Sequence, residues 1–294
     1  MTATKYYAMT GLFTGAVVWG LVWYPYRVLE RAGVGGALAS FLTYAVALGL
    51  GMALYFRYRR GSQRIAPILL WIGLTAGWAN LAYVLAVIHG DVMRVMLLFY
   101  LAPLWTVIFS WLLLNERLQW VGYGVILLSL AGALVMLWPA ARGLPLPRND
   151  AEWFGLSAGM AFALSNVLAR RAEHSGIIAK SVSIFLGVVL VSAIPLAVRS
   201  GTLATLPQLA PATWLLLAGV GVTVFAVTLA VQFGISRTPA NRAIVIFLFE
   251  LVVAAVSAYA LEGERMTMRE WLGGIMIVAA SLLSGRIEAE RASG

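Results

Sequence analysis

The sequence predicts an all-α integral membrane protein of ten transmembrane helices, arranged as two inverted five-helix repeats (5+5) with the N- and C-termini cytoplasmic. Three observations predict it. The 294 residues are 62% apolar and only 11% charged, where a soluble domain is about 45–50% apolar and about 25% charged. Ten apolar runs can be read, at 8–28, 36–56, 66–88, 92–114, 119–138, 153–169, 177–198, 211–233, 239–261 and 270–285. Most approach the ~20 residues that a helix needs to cross a bilayer, whereas a barrel would show alternating segments of about ten. Finally, the second half repeats the first at an offset of 148 residues, pairing Gly73 with Gly221, Thr75 with Thr223, Arg94 with Arg242 and Phe99 with Phe247.

Run by run, the polar and aromatic residues carry the detail. Run 1 places Trp19, Trp23 and Tyr26 on one helical face, and no charged–apolar–small leader before it suggests a cleaved signal peptide. Run 2 ends in the basic loop RYRRGSQR. Run 3 carries Trp78, Asn80 and Tyr83. Run 4 starts near Arg94 and reaches Tyr100 just before Pro103, whose missing N–H frees a carbonyl and predicts a kink. Glu116-Arg117 follows, and run 5 opens on Trp120-Val-Gly122. Run 6 holds Phe162 and Asn166, run 8 Phe225, Thr228 and Gln232. Run 9 begins at Pro239, a residue suited to a first helical turn, and includes Arg242, Phe247 and Glu250. Glu264-Arg265 then matches Glu116-Arg117, and run 10 opens on Trp271-Leu-Gly273 after a three-residue insertion. Leu251 stands where the first half has Pro103, so the two halves are expected to bend unequally. Pairs such as Gly11/Gly15, Gly73/Gly77 and Gly122/Gly124 are expected at close helix contacts, and helices 5 and 10 as a tightly packed scaffold.

Domain boundaries follow from the repeat. Residues 1–138 form the first five-helix unit and 151–294 the second. The Pro- and Arg-rich stretch Pro139–Asp150 (PAARGLPLPRND) joins them. Five is an odd number of crossings, so the halves must lie in opposite orientations, a recurrent transporter design with its working interface at the bilayer midplane. With the N-terminus inside, 13 of the 21 Lys and Arg fall on the inner side, and RYRRGSQR outweighs its counterpart, which retains only Arg199.

The same inventory excludes several classes. Net charge is +9, but the basic residues cap apolar runs, which membrane topology explains without a nucleic-acid partner. Cys is absent and only His89 and His174 are present, so disulfides and Cys- or His-based metal sites are not expected, nor any cofactor. No HExxH or GxSxG occurs, and no carboxylates pair inside an apolar run, so no catalytic residues are assigned and the chain is not expected to be an enzyme.

The mid-span aromatics and polar groups on runs 1, 3, 4, 6, 8 and 9 define a candidate substrate cavity. It comprises Trp19, Trp23, Trp78, Asn80, Tyr83, Tyr100, Phe162, Asn166, Phe225, Gln232, Phe247 and Glu250. Such a lining suits a substrate with a ring or apolar side chain; taken singly, each aromatic is equally at home in a bundle core. Arg94 and Arg242 fall near matched helix starts, where they can gate a mouth or attract a carboxylate, or serve as interface anchors. Glu250 is the one ionisable residue in the interior of an apolar run. Three roles fit it: binding a substrate ammonium, carrying a coupling proton, or a protonated structural hydrogen bond.

The chain resembles the drug/metabolite transporter superfamily in its ten-helix EamA-domain branch. The likeness is carried by Tyr100-Leu-Ala-Pro103, Leu114-Asn-Glu116-Arg117 and Trp120-Val-Gly122, and by Phe249-Glu250-Leu251, Glu262-Gly-Glu264-Arg265 and Trp271-Leu-Gly273. It implies alternating-access transport of small metabolites, often export, through a cavity between helices 1, 3, 4, 6, 8 and 9. Within that branch the chain is most similar to bacterial aromatic amino acid exporters. The expectation is therefore a multi-pass protein of the bacterial inner membrane that exports amino acids. Its partners are the substrate and the lipid bilayer, and a monomer suffices, although a dimer is compatible. A multidrug or other small-metabolite carrier, or a solute channel, are the alternatives.

Overall fold

The computed structural model describes residues 3–58, 66–90, 92–116, 118–137, 147–198, 209–262 and 267–291. These residues form thirteen α-helices and, among them, no strand. The helices are α1 (Ala3–Leu21), α2 (Trp23–Arg31), α3 (Gly36–Tyr58), α4 (Pro67–His89), α5 (Val92–Phe99), α6 (Ala102–Leu114) and α7 (Trp120–Leu137). They continue as α8 (Asp150–Arg171), α9 (Ile177–Val198), α10 (Pro211–Ile235), α11 (Ala240–Phe247), α12 (Phe249–Glu262) and α13 (Met268–Arg291).

All ten apolar runs fall on helix. Among the described residues, seven helical stretches are long and apolar enough to cross a membrane: Gly36–Tyr58, Pro67–Ala86, Val95–Leu114, Trp120–Leu137, Ile177–Val198, Pro211–Ile235 and Ala240–Leu261. Run 1 is divided between α1 and α2. Run 6 lies on α8, which starts with Asp150 and Glu152 and ends with Arg170 and Arg171. Run 10 contributes a shorter apolar stretch, Trp271–Leu283.

Three of the runs are interrupted, and the causes differ. Pro25 has no N–H for the Leu21 carbonyl, so the chain turns at Val22, whose own N–H reaches Trp19 at 3.3 Å. Pro103 does the same to the Phe99 carbonyl, and Leu101 bonds three residues back to Leu98 instead. The third interruption, at Leu248, falls 148 residues after Tyr100 although no proline is there; it is a single residue, against two at Tyr100 and Leu101. Another helix packs closely beside each of the two later breaks. Gly20 of α1 packs so close that a Cβ on it would lie 2.7 Å from the Glu250 carbonyl oxygen, and Gly159 of α8 meets the Phe99 carbonyl in the same way.

Helix ends follow their sequences. Pro67 and Pro211 open α4 and α10. Asn149 caps α8 by accepting the Glu152 N–H at 2.9 Å, while the Glu152 carboxylate reaches back to the Arg148 N–H at 3.0 Å. Asn115 ends α6 in the left-handed conformation, φ 54.

Packing obeys the repeat. The pair α4·α8 maps onto α10·α1 under the 148-residue shift, α4·α9 onto α10·α3, and α6·α8 onto α12·α1, while α7 packs on α13. Two of the glycine pairs behave as expected: Gly11 and Gly15 lie against Ala230 and Val231, and Gly73 and Gly77 against α9, where Gly73 meets Gly187 backbone to backbone. The third pair does not. A Cβ on Gly122 would first meet Leu118, just ahead of its own helix, and Gly124 faces open space. The α7·α13 contact is made instead by Gly132 against Gly273. Most of the linker at 139–150 lies outside the described residues, as do Arg117, Glu264 and Arg265.

Candidate substrate site

The site is built where the interrupted helices meet α4 and α8. Tyr83 of α4 packs on Phe99 of α5, ring centroids 5.1 Å apart; Phe99 packs on Phe162 of α8 at 5.6 Å; Phe162 packs on Phe247 of α11 at 5.9 Å. Tyr100, next to Phe99, makes an edge contact with it at 5.3 Å. Rings from four runs thus form one continuous aromatic strip, with tilted and edge-on geometries that favour further rings.

Glu250 adjoins this strip. The Tyr100 hydroxyl donates a hydrogen bond to the Glu250 carboxylate, and Tyr83 lies within its electrostatic reach. Tyr100 is buried, whereas Glu250, Tyr83, Phe99 and Phe162 each keep partial exposure within the bundle. The interruption at Leu248 makes Glu250 the second residue of α12, near the positive end of a helix dipole that favours a carboxylate.

Three amides add polar capacity. Asn80 lies one turn from Tyr83 on α4, Asn166 one turn from Phe162 on α8, and Gln232 is buried on α10. A side-chain atom of each, Asn80 Oδ1, Asn166 Nδ2 and Gln232 Oε1, is buried without a hydrogen-bond partner in the protein. Buried polar groups are ordinarily satisfied, so three orphans on the three helices α4, α8 and α10 suit a polar ligand.

The other candidates are distributed around this centre. Trp19 packs against two core clusters, one holding Leu12, Val231 and Phe247 and the other Tyr44, Phe185 and Val224. The Trp23 indole donates to Ser257 of α12 at 2.9 Å, tying α2 to the second half. Trp78 is 40% exposed and pairs with Phe154 at 6.1 Å, and Phe225 pairs with Phe185 at 6.2 Å, so neither ring joins the strip. Pro103 is buried in the first turn of α6. Arg242 is buried on α11, its Nη2 2.9 Å from Met9 Sδ, a burial unlike that of a side chain stretched to an interface. The Arg94 side chain lies outside the described residues.

Sequence reasoning missed Phe99, the central ring, although its pairing with Phe247 at the repeat offset was the available signal. It also missed Ser257, which only the fold brings to Trp23, and Phe13, which meets Phe249 at 5.8 Å.

Residues 7–138 and 151–286 both match the EamA-like transporter family. The chain belongs to that family. Among relatives, an uncharacterized transporter of Archaeoglobus fulgidus is 26% identical over 206 residues, covering 70% of this chain and 71% of the relative. An uncharacterized membrane protein of Saccharomyces cerevisiae is 24% identical over 248 residues, 78% of this chain, and this chain spans 59% of its length. A solved crystal structure, 18% identical, superposes with a TM-score of 0.78 over 95% of this chain and 98% of its own, a likeness of fold. This EamA-like transporter is thus a drug/metabolite-type multi-pass membrane transporter whose two matched segments flank the linker.

Proposed function

We propose that this EamA-like transporter is a secondary carrier that exports amino acids with aromatic and other apolar side chains across the bacterial inner membrane. The observation that carries the reading is the aromatic strip Tyr83–Phe99–Phe162–Phe247 ending beside the Tyr100–Glu250 pair. A substrate ring or aliphatic side chain lies against the strip and is held by apolar burial. Its ammonium is met by Glu250, and its carboxylate by amide N–H groups such as that of Asn166. Nothing covalent is required: the work is desolvation on one side of the membrane and release on the other.

Movement follows alternating access. The 1–138 and 151–294 units act as inverted repeats that rock about the midplane site, the breaks between α5 and α6 and between α11 and α12 giving the bundle its bending points. The exchange of packing partners under the 148-residue shift supports two equivalent units.

The test is an uptake panel in proteoliposomes at two pH values, with Phe, Trp and Leu set against Asp and Lys. Saturable counterflow of the aromatic and apolar amino acids is expected. A flux that never saturates, or one that ignores amino acids, overturns the reading.

A further inference from the structure

The end of the bundle where α6, α8 and α10 finish and α9 and α11 begin is held by one carboxylate. Glu116 follows Asn115, whose left-handed backbone turns the chain at the end of α6. Its two oxygens serve different helices. Oε2 accepts the N–H of Ala240, the first residue of α11, at 3.0 Å, and Oε1 lies 3.6 Å from Nε of Arg170 in the last turn of α8. Arg170 donates in turn to the carbonyl of Ser236 just beyond α10. Lys180 of α9, fully buried, donates to the Ser236 hydroxyl and, at 3.1 Å, to the Ala169 carbonyl.

Glu116 belongs to the first half, and the Ala240 N–H and the Arg170 guanidinium belong to the second. The connection is also chemically needed. Pro239 precedes α11 and supplies no side-chain cap, and its carbonyl already accepts the Arg242 and Ala243 N–H groups at 3.0 Å each. A carboxylate at a helix N-terminus satisfies the leading donor and complements the helix dipole. Behind this cap all eight residues of α11 are buried, and Asn241 bonds Ser110 of α6 at 2.9 Å, so α11 is covered along its whole length.

We propose that Glu116 is a positioning residue of the transport cycle: its carboxylate latches the N-terminus of α11 to the end of α8 and keeps this mouth shut, and the mouth opens when that latch releases. The proposal rests on the alternating-access reading above but on no particular substrate. It makes α11 the moving part. That helix carries Phe247 at its far end and leads directly into Glu250, so release of the cap displaces the aromatic strip together with the mouth.

The chain contains no Cys, so single cysteines can be introduced without altering its background. Ala243→Cys, one turn inside α11 and 2% exposed, reports this mouth; Thr213→Cys, in the first turn of α10 and 8% exposed, reports the opposite end. Both are probed with a membrane-impermeant maleimide in vesicles of defined sidedness. Removing a charged hydrogen-bond acceptor with Glu116→Gln is expected to speed labelling at Ala243→Cys by about tenfold or more, with no rise at Thr213→Cys, and Glu116→Asp should restore part of the protection. Unchanged labelling at Ala243→Cys overturns the latch. So does an equal rise at both positions, because general loosening would move both. Labelling needs no substrate, so failure of the amino acid panel and failure of the latch are separate results.

Discussion

The Tyr100 hydroxyl donates to the Glu250 carboxylate, joining the interruption in the fourth apolar run to the interruption in the ninth. The two residues lie on either side of the 148-residue repeat, yet they are not repeat mates: Tyr100 corresponds to Leu248 and Glu250 to Ala102. The acid and its phenol partner are a one-sided feature of an otherwise matched frame, which suits recognition of a ligand that is itself polar at one end.

Tyr100→Phe removes the donor and keeps the ring. With a charge-assisted bond contributing about 1.5–3 kcal/mol, KM for an aromatic amino acid should rise about tenfold or more if the ligand uses the same carboxylate geometry. Glu250→Gln should do the same for free amino acids and leave N-acetylated analogues unchanged, since those carry no ammonium. Counterflow kinetics on the paired substrates check both.

Phe99 touches the Tyr83, Tyr100 and Phe162 rings, so truncation empties the centre of the strip. Phe99→Ala should lower stability by about 3 kcal/mol, read as a drop in thermal-unfolding midpoint in detergent. Phe99→Leu, which fills part of the space, should recover most of it and shift preference from aromatic toward aliphatic amino acids.

A Cβ on Gly187 would run into the Gly73 backbone, whereas one on Gly124 would meet nothing. Gly187→Ala should therefore cost about 1–3 kcal/mol through overpacking, and Gly124→Ala nothing measurable. Size-exclusion profiles and melting midpoints of the two variants side by side give the answer.

Asn149→Ala strips the cap from α8, leaving the Glu152 N–H without its acceptor. Loss of such a cap costs about 1 kcal/mol, and hydrogen exchange in the first turn of α8 should accelerate while the rest of the helix is unaffected.

The all-helical membrane fold was legible because bilayer thickness writes itself into run length, and the break near Tyr100 because Pro103 announces it. The break at Leu248 was not, since no proline marks it; what lies beside it is Gly20 from another helix, and no local pattern encodes an inter-helix approach. The same holds for the site. Tyr83, Phe162 and Phe247 stood out as mid-span aromatics, but composition could not distinguish Phe99, at the centre of the strip, from Phe225, which packs on Phe185 away from it. Glu116 was noticed only as part of a repeated charged motif, because a cap on α11 exists only once the two halves have assembled.

The bare backbone contact between Gly73 and Gly187 has a consequence for how such a chain can evolve. Each glycine lies in a different half, and a methyl group on Gly187 would strike the other half's main chain. Each half therefore limits the size of side chain that the other can carry at this point, whatever happens at the substrate strip. A chimera that joins the first half of this chain to the second half of a relative should lose about 1–3 kcal/mol of stability where the relative carries a side chain at position 187.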